Sequence, residues 1–168
     1  MAYDQINPNG RDKIPRSARS TEPAWVTTVA LPPEAAPFDL QAAINAAGDG
    51  EPTVIELNSD IILNGYDIKI PQDKIIKLTS AGAEITHSID ANRLFRVLSV
   101  SSQAALYLEN IIITGGVGTD SGAGVSVFGG ALVMNNNAAI TGNQASGAGA
   151  GVLIRNGGTF CMNGGEIT

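Results

Sequence analysis

The sequence predicts an all-β chain that coils as a parallel β-helix of about 27 residues per turn, entered through a short helix and preceded by an extended arm. Three observations predict it. First, Thr114–Val125 (TGGVGTDSGAGV) and Thr141–Val152 (TGNQASGAGAGV) are equal in length and offset by 27 residues. Second, apolar residues two apart recur in short runs: Ile55/Leu57, Ile61/Leu63, Ile68/Ile70 and Ile76/Leu78. Third, the glycines are concentrated, with 15 of 20 between positions 115 and 168, where turns must recur.

Composition sets the outer bounds. The 168 residues suffice for one domain and a tail. A hydrophobic fraction of 43% supports a packed core. A net charge of −6 argues against a nucleic-acid footprint. One cysteine excludes an intramolecular disulfide framework and a Cys-based zinc site. No apolar run approaches the length of a transmembrane helix. The segment after Met1 is polar and shows no secretion signal.

The arm, residues 1–37, holds six of the eight prolines, which forbid a long helix. Its four basic and four acidic residues cancel, so the body carries the charge. Trp25, Val26 and Val29 are its apolar exceptions, and Ala24–Leu31 is a candidate strand that docks on the body or on a partner. Residues 38–50 form a capping helix and turn. Within it Asp39 is the expected N-cap, Leu40, Ala43, Ile44 and Ala47 share a face, and Gly48 suits the left-handed position after the helix. Residues 51–168 form the β-helix. Polar turns separate its short strands, which fit a coil better than hairpins.

The 27-residue offset assigns the core. Ile113, Ile140 and Ile167 form one internal stack, and Val100, Val127 and Ile154 another. Leu106, Leu132 and Phe160 align at offsets of 26 and 28, the drift of a one-residue bulge. Alternation then turns Phe160 and Met162 inward and Cys161 outward. Asn137, Asn143 and Asn156, with Asn136 and Asn163, suit corners, where Asn tolerates left-handed φ and can form amide ladders between coils. From residue 51 on there is room for roughly four and a half coils, a stack of about 20 Å. The repeat reaches Thr168 one strand into a coil, so a longer solenoid, self-association or a partner chain is expected at that open edge.

These residues carry a resemblance. DLQAAINAAGDGEPTVIELNSDIILNGYDIKI resembles the entry of right-handed parallel β-helices of the pectin-lyase-like kind. ALVMNNNAAITGNQASGAGAGVLIRNGGTFCMNGGEIT is similar to the repeats of bacterial surface and adhesin-like β-helix proteins. The resemblance covers residues 38–168 and speaks to architecture more than activity, because the fold hosts lyases, hydrolases, tailspikes, adhesins and spacers.

A polysaccharide-cleaving β-helix needs carboxylates converging on one outer sheet. At the repeat offsets, Glu109 aligns with Asn135 or Asn136 and then Asn163, Asp120 with Gly147, and Glu166 with Ala139 and Ile112. No acid stacks on another there; the early pairs Asp60/Asp67 and Glu84/Asp90 stay open as candidates, and turn positions explain them as well. The expectation is no catalytic residue, no metal and no cofactor in this segment. Gly115–Asp120 matches the start of a calcium-binding nonapeptide, but Gly122 stands where an apolar residue is needed. Gly147–Gly151 lacks phosphate-loop spacing, and His87 reads as a turn or surface residue. Tyr107, Phe128 and Arg155 point outward by alternation and are the candidate carbohydrate contacts.

Three functions compete. One is a structural and adhesive module, a stalk or a glycan- or host-binding face in a bacterial surface protein, extracellular or at the cell surface. A second is a tail fibre or tailspike, anchored to a virion or injection particle by the arm. A third is the N-terminal part of a polysaccharide lyase or hydrolase.

Overall fold

A computed structural model describes residues 22–82, 84–118 and 122–168. Strand β1 (Thr27–Ala30) and helix α1 (Pro37–Ala46) precede the coils. The first coil comprises β2 (Pro52–Leu57), β3 (Ile61–Ile62) and β4 (Ile68–Ile70). The second is β5 (Ile75–Ser80), β6 (His87–Asp90) and β7 (Leu98–Val100). The third is β8 (Ala105–Leu108), β9 (Ile111–Thr114), β10 (Val117–Gly118) and β11 (Val125–Phe128). The fourth is β12 (Ala131–Met134), β13 (Ala138–Ile140), β14 (Gln144–Ala145) and β15 (Val152–Arg155). β16 (Thr159–Met162) and β17 (Glu166–Ile167) begin a fifth.

Corresponding strands stack in parallel. Sheet A runs β1-β2-β5-β8-β12-β16, sheet B runs β17-β13-β9-β6-β3, and sheet C runs β15-β11-β7-β4. A two-stranded sheet pairs β10 with β14. The molecule is thus a parallel β-solenoid. Along sheet A the register advances by 23, 30, 26 and 28 residues per coil. The 27-residue unit is the rule of the later coils, and the earlier ones depart from it by the lengths of their turns.

The stacks assigned from the repeat are in register. Ile113 pairs with Ile140 and Ile140 with Ile167, extended upstream by Ile61 and Ile89. Val100, Val127 and Ile154 pair likewise, with Ile70 ahead of them. Leu106, Leu132 and Phe160 share a column on sheet A, as do Leu108, Met134 and Met162. Inward residues of the first three coils are essentially inaccessible, while Val152 and Ile154 at the end of the fourth and Phe160, Met162 and Ile167 beyond it are partly exposed. A column of identical branched side chains needs no volume compensation between coils, so its packing repeats with the backbone.

The corners use two devices. Asn137 and Asn156 take positive φ, as do Asn92 and Asn110. Asn143 corrects the expectation. Its neighbour Gly142 takes the left-handed conformation (φ 65°). The Asn143 side chain instead bridges coils, accepting from Gly116 N–H at 2.8 Å and donating to the Ile113 carbonyl at 3.0 Å. At Gly124 the demand is space: an added Cβ would stand 2.5 Å from the Gly151 carbonyl oxygen.

Helix α1 covers the first coil with Leu40 and Ile44, both fully buried. Its ends differ from expectation. It begins at Pro37, whose fixed φ suits the first turn. Ala36 is the N-cap, and Asp39 sits three positions on and accepts the Ala36 N–H at 2.8 Å. Gly48 is not left-handed. The chain leaves the helix at Ala47 in an extended conformation (φ −57°, ψ 144°). Lys74, from the turn before β5, takes over the cap by donating to the Asn45 and Ala47 carbonyls and pairing with Asp49 at 2.9 Å. A cation there also complements the helix dipole. Gln41 Oε1 accepts the Lys69 N–H at 2.8 Å and its Nε2 donates to the Lys69 carbonyl at 2.9 Å, which protects the edge of sheet C.

The candidate strand in the arm exists and is shorter than expected. β1 pairs in parallel with β2 along Thr27–Ala30 and adds a sixth strand to sheet A. Residues 1–21, with the arm's basic residues, lie outside the described residues. Among the described residues, no helix is long and apolar enough to cross a membrane.

Candidate functional site

Two outer faces present the candidate side chains, and they differ. On sheet C, Phe128 and Arg155 are register partners on adjacent coils, at the ends of β11 and β15. Phe128 is 55% exposed, and Arg155 is exposed. The repeat offset of 27 already aligns these two outward residues. The structure pairs them in register about one strand spacing apart, ~4.8 Å, and leaves both side chains exposed on the outer face of the sheet.

On sheet A, Tyr107 also points outward, in one column with Lys77, Val133 and Cys161. It is nevertheless only 1% exposed, which corrects the expectation of an accessible tyrosine. The cover is Trp25. Its ring meets Tyr107 edge-on, with centroids 5.2 Å apart and planes at 88°. Trp25 and Cys161 pack against a buried outer cluster of Ile75, Ala105, Tyr107, Ala131 and Val133. Cys161 is therefore outward and partly masked, with its thiol 3.3 Å from Asn163 Oδ1.

A polar clamp fixes the tryptophan. Glu22 accepts from Trp25 Nε1 at 2.9 Å and from Lys77 Nζ at 3.1 Å, and also from Asn135 Nδ2. Lys77 pairs with Glu109 as well, and its ammonium lies 5.4 Å from the Trp25 ring centroid. Glu109, Asn135 and Asn163 occupy consecutive outward positions just past β8, β12 and β16, and Asn163 donates to Asn135 at 3.1 Å. This amide ladder joins coils as expected of Asn, but through Asn135.

The electrostatics follow from this geometry. Burial works to raise the Glu22 carboxyl, yet hydrogen bonds from Trp25 and Lys77 and the Lys77 charge hold it below its ordinary value. Burial works to lower Lys77, and its hydrogen bonds to Glu109 and Glu22, with their charges, hold it above. Burial first, then the Glu22 charge, pushes the Tyr107 phenol up to about 12.

Two of the early acids brace the backbone, Asp60 from the turn before β3 and Asp90 from the last position of β6. Asp60 accepts the Ser88 N–H at 2.7 Å and lies 3.6 Å from His87 Nδ1, at the start of β6. Asp90 accepts the Asn92 N–H at 2.7 Å. Among the described residues, no three His, Cys, Asp or Glu side chains gather as metal ligands would. Asp120 of the calcium-like stretch lies outside the described residues.

Glu22, Lys77, Glu109 and Asn135 are the residues that reading the sequence missed. One signal was available: an outward column of Tyr107, Val133 and Cys161 is too apolar to face water unaided, and the arm carries a tryptophan outside the repeat. No known protein family matches the chain, nor does any curated protein or solved structure.

Proposed function

We propose that the chain is a structural and adhesive β-helix module, a stalk with a ligand-binding face in a bacterial surface protein. The face is sheet C around Phe128 and Arg155, and its ligand is a glycan or another host-surface group. The observation that carries this reading is the exposed Phe128 ring standing beside Arg155 on a rigid parallel sheet. Rings of sugars stack on such an aromatic, and a guanidinium hydrogen-bonds hydroxyls or carboxylates beside it. A solenoid supports the role because each coil fixes the next, so the two groups are held without ligand.

A glycan array probed with the full chain and with Phe128→Ala tests the proposal. Retention of a glycan by the parent and its loss in the variant, with unchanged far-UV signal, is expected. Equal binding by both overturns the assignment of the face. Depolymerisation of the bound glycan overturns the non-enzymatic reading.

A further inference from the structure

We propose that residues 22–26 form a strap released by acid, with Glu22 as its latch and Trp25 as its cover over the Tyr107 face. The reason is how this segment is held. From Thr27 onward the arm is tied to β2 by a four-residue parallel ladder. Val26 adds one backbone bond, to the Pro52 carbonyl at 2.9 Å. Ahead of Val26, the contacts described above are made by side chains, and the polar ones converge on one carboxylate. Trp25, Lys77 and Asn135 all donate to Glu22. An ionised carboxylate accepts at both oxygens, and a protonated one loses acceptor capacity and its attraction for Lys77. Losing the latch frees the indole N–H and leaves the ring held by its edge contact with Tyr107 and the nearby Lys77 ammonium.

The groups facing Glu22 set the direction. Lys77 reaches it from β5, Glu109 from just past β8 and Tyr107 from β8, with Cys161 of β16 beyond Tyr107 in the same column. Lys77, held above its ordinary value, is a cation throughout the acid range, and Tyr107, pushed up to about 12, stays neutral there. Trp25, Lys77 and Asn135 all converge on Glu22, while Glu109 reaches the strap only through Lys77 and Glu22, so release follows from Glu22 itself. Because Glu22 is held below its ordinary value, the docked strap is stabilised above the unfolded carboxylate range. That stabilisation is lost as pH falls through the lowered value. The solenoid beneath rests on apolar columns and persists.

Trp25 is the only tryptophan of the chain, so its emission reports the strap directly. The test titrates the full chain from neutral to about pH 3, following emission maximum, acrylamide quenching and far-UV signal together. A red shift and increased quenching while the β-signal persists are expected. Glu22→Gln is expected to show the released emission already at neutral pH, and Lys77→Gln to move the transition to higher pH. Emission that changes only as the β-signal is lost overturns the proposal. So does a parent-like transition in either variant.

Discussion

Sheets A and C follow the same alternation, yet their outer faces end differently. Tyr107 and Phe128 both point away from the core, and one is 1% and the other 55% exposed. The difference is the arm, which lays Trp25 on sheet A. Alternation along a strand decides direction, and only a distant segment decides exposure. The two faces therefore have different chemistry: one is a finished internal joint and the other an open platform.

The largest expected effect falls on what both faces share. Ile140 lies in the Ile113–Ile140–Ile167 column and is completely buried. Ile140→Asp strands a carboxylate among branched alkyl groups, and a loss of several kcal/mol is expected, roughly 3–5. Ile140→Val removes one methylene and is expected to cost about 1 kcal/mol. Chemical denaturation followed by far-UV signal checks both. A near-neutral Ile140→Asp would mean that the column does not face the core, and the outward assignments of Tyr107 and Phe128 would fall with it.

The next effect is confined to sheet A. Trp25→Ala removes the cover of Tyr107, and about 2 kcal/mol of destabilisation is expected. That is less than for a fully buried tryptophan, because Trp25 keeps partial exposure. The same variant should lower the Tyr107 phenol from about 12. A phenol raised in the folded state contributes stability that is intact below the unfolded value near 10 and is lost as pH rises toward about 12. Ultraviolet titration of the tyrosinate band reads this directly. If the titration is the same in parent and variant, the covered face is not covered by Trp25.

Why the core was legible and the covered face was not can be read from these residues. Ile113, Ile140 and Ile167 are related by a constant offset, so sequence distance alone puts them in one column. Leu106, Leu132 and Phe160 stay in one column through offsets of 26 and 28 because the one-residue differences are taken up in the turns between strands. The helix was legible by its apolar face but not by its ends. Gly48 follows the usual pattern of a helix stop, while Lys74, a coil later, takes the terminal carbonyls instead. Trp25 on Tyr107 and Glu22 on Lys77 are contacts between a non-repeating arm and a repeating body. No offset relates them, so periodicity carries no information about the pairing. Phe128 beside Arg155 is the converse case, since their offset of 27 is the repeat itself.

Removing the arm ahead of the strand gives a smaller effect still. Deleting residues 1–23 takes away Glu22 and leaves β1 and its ladder to β2 intact. The solenoid is expected to stay folded, with Trp25 more accessible to quencher than in the parent. Loss of the β-signal in this deletion would place the arm inside the core of the fold, and sheet A would then be more than a covered face.

The smallest stability effect is expected on the open platform. Phe128→Ala removes a ring that is more than half in water and borders no inward column. A change within about 0.5 kcal/mol is expected, as for an ordinary surface site. Its binding effect should be the reverse in size: a ring that stacks on a sugar has no substitute in the Ser101 that precedes it in the column. Set beside Trp25→Ala, the two variants form a crossed pair. One lowers stability and spares glycan retention, while the other spares stability and abolishes retention. If Phe128→Ala instead melts as low as Trp25→Ala, the ring is a structural contact. Sheet C would then be a second joint, covered by a segment or a partner as sheet A is covered by the arm.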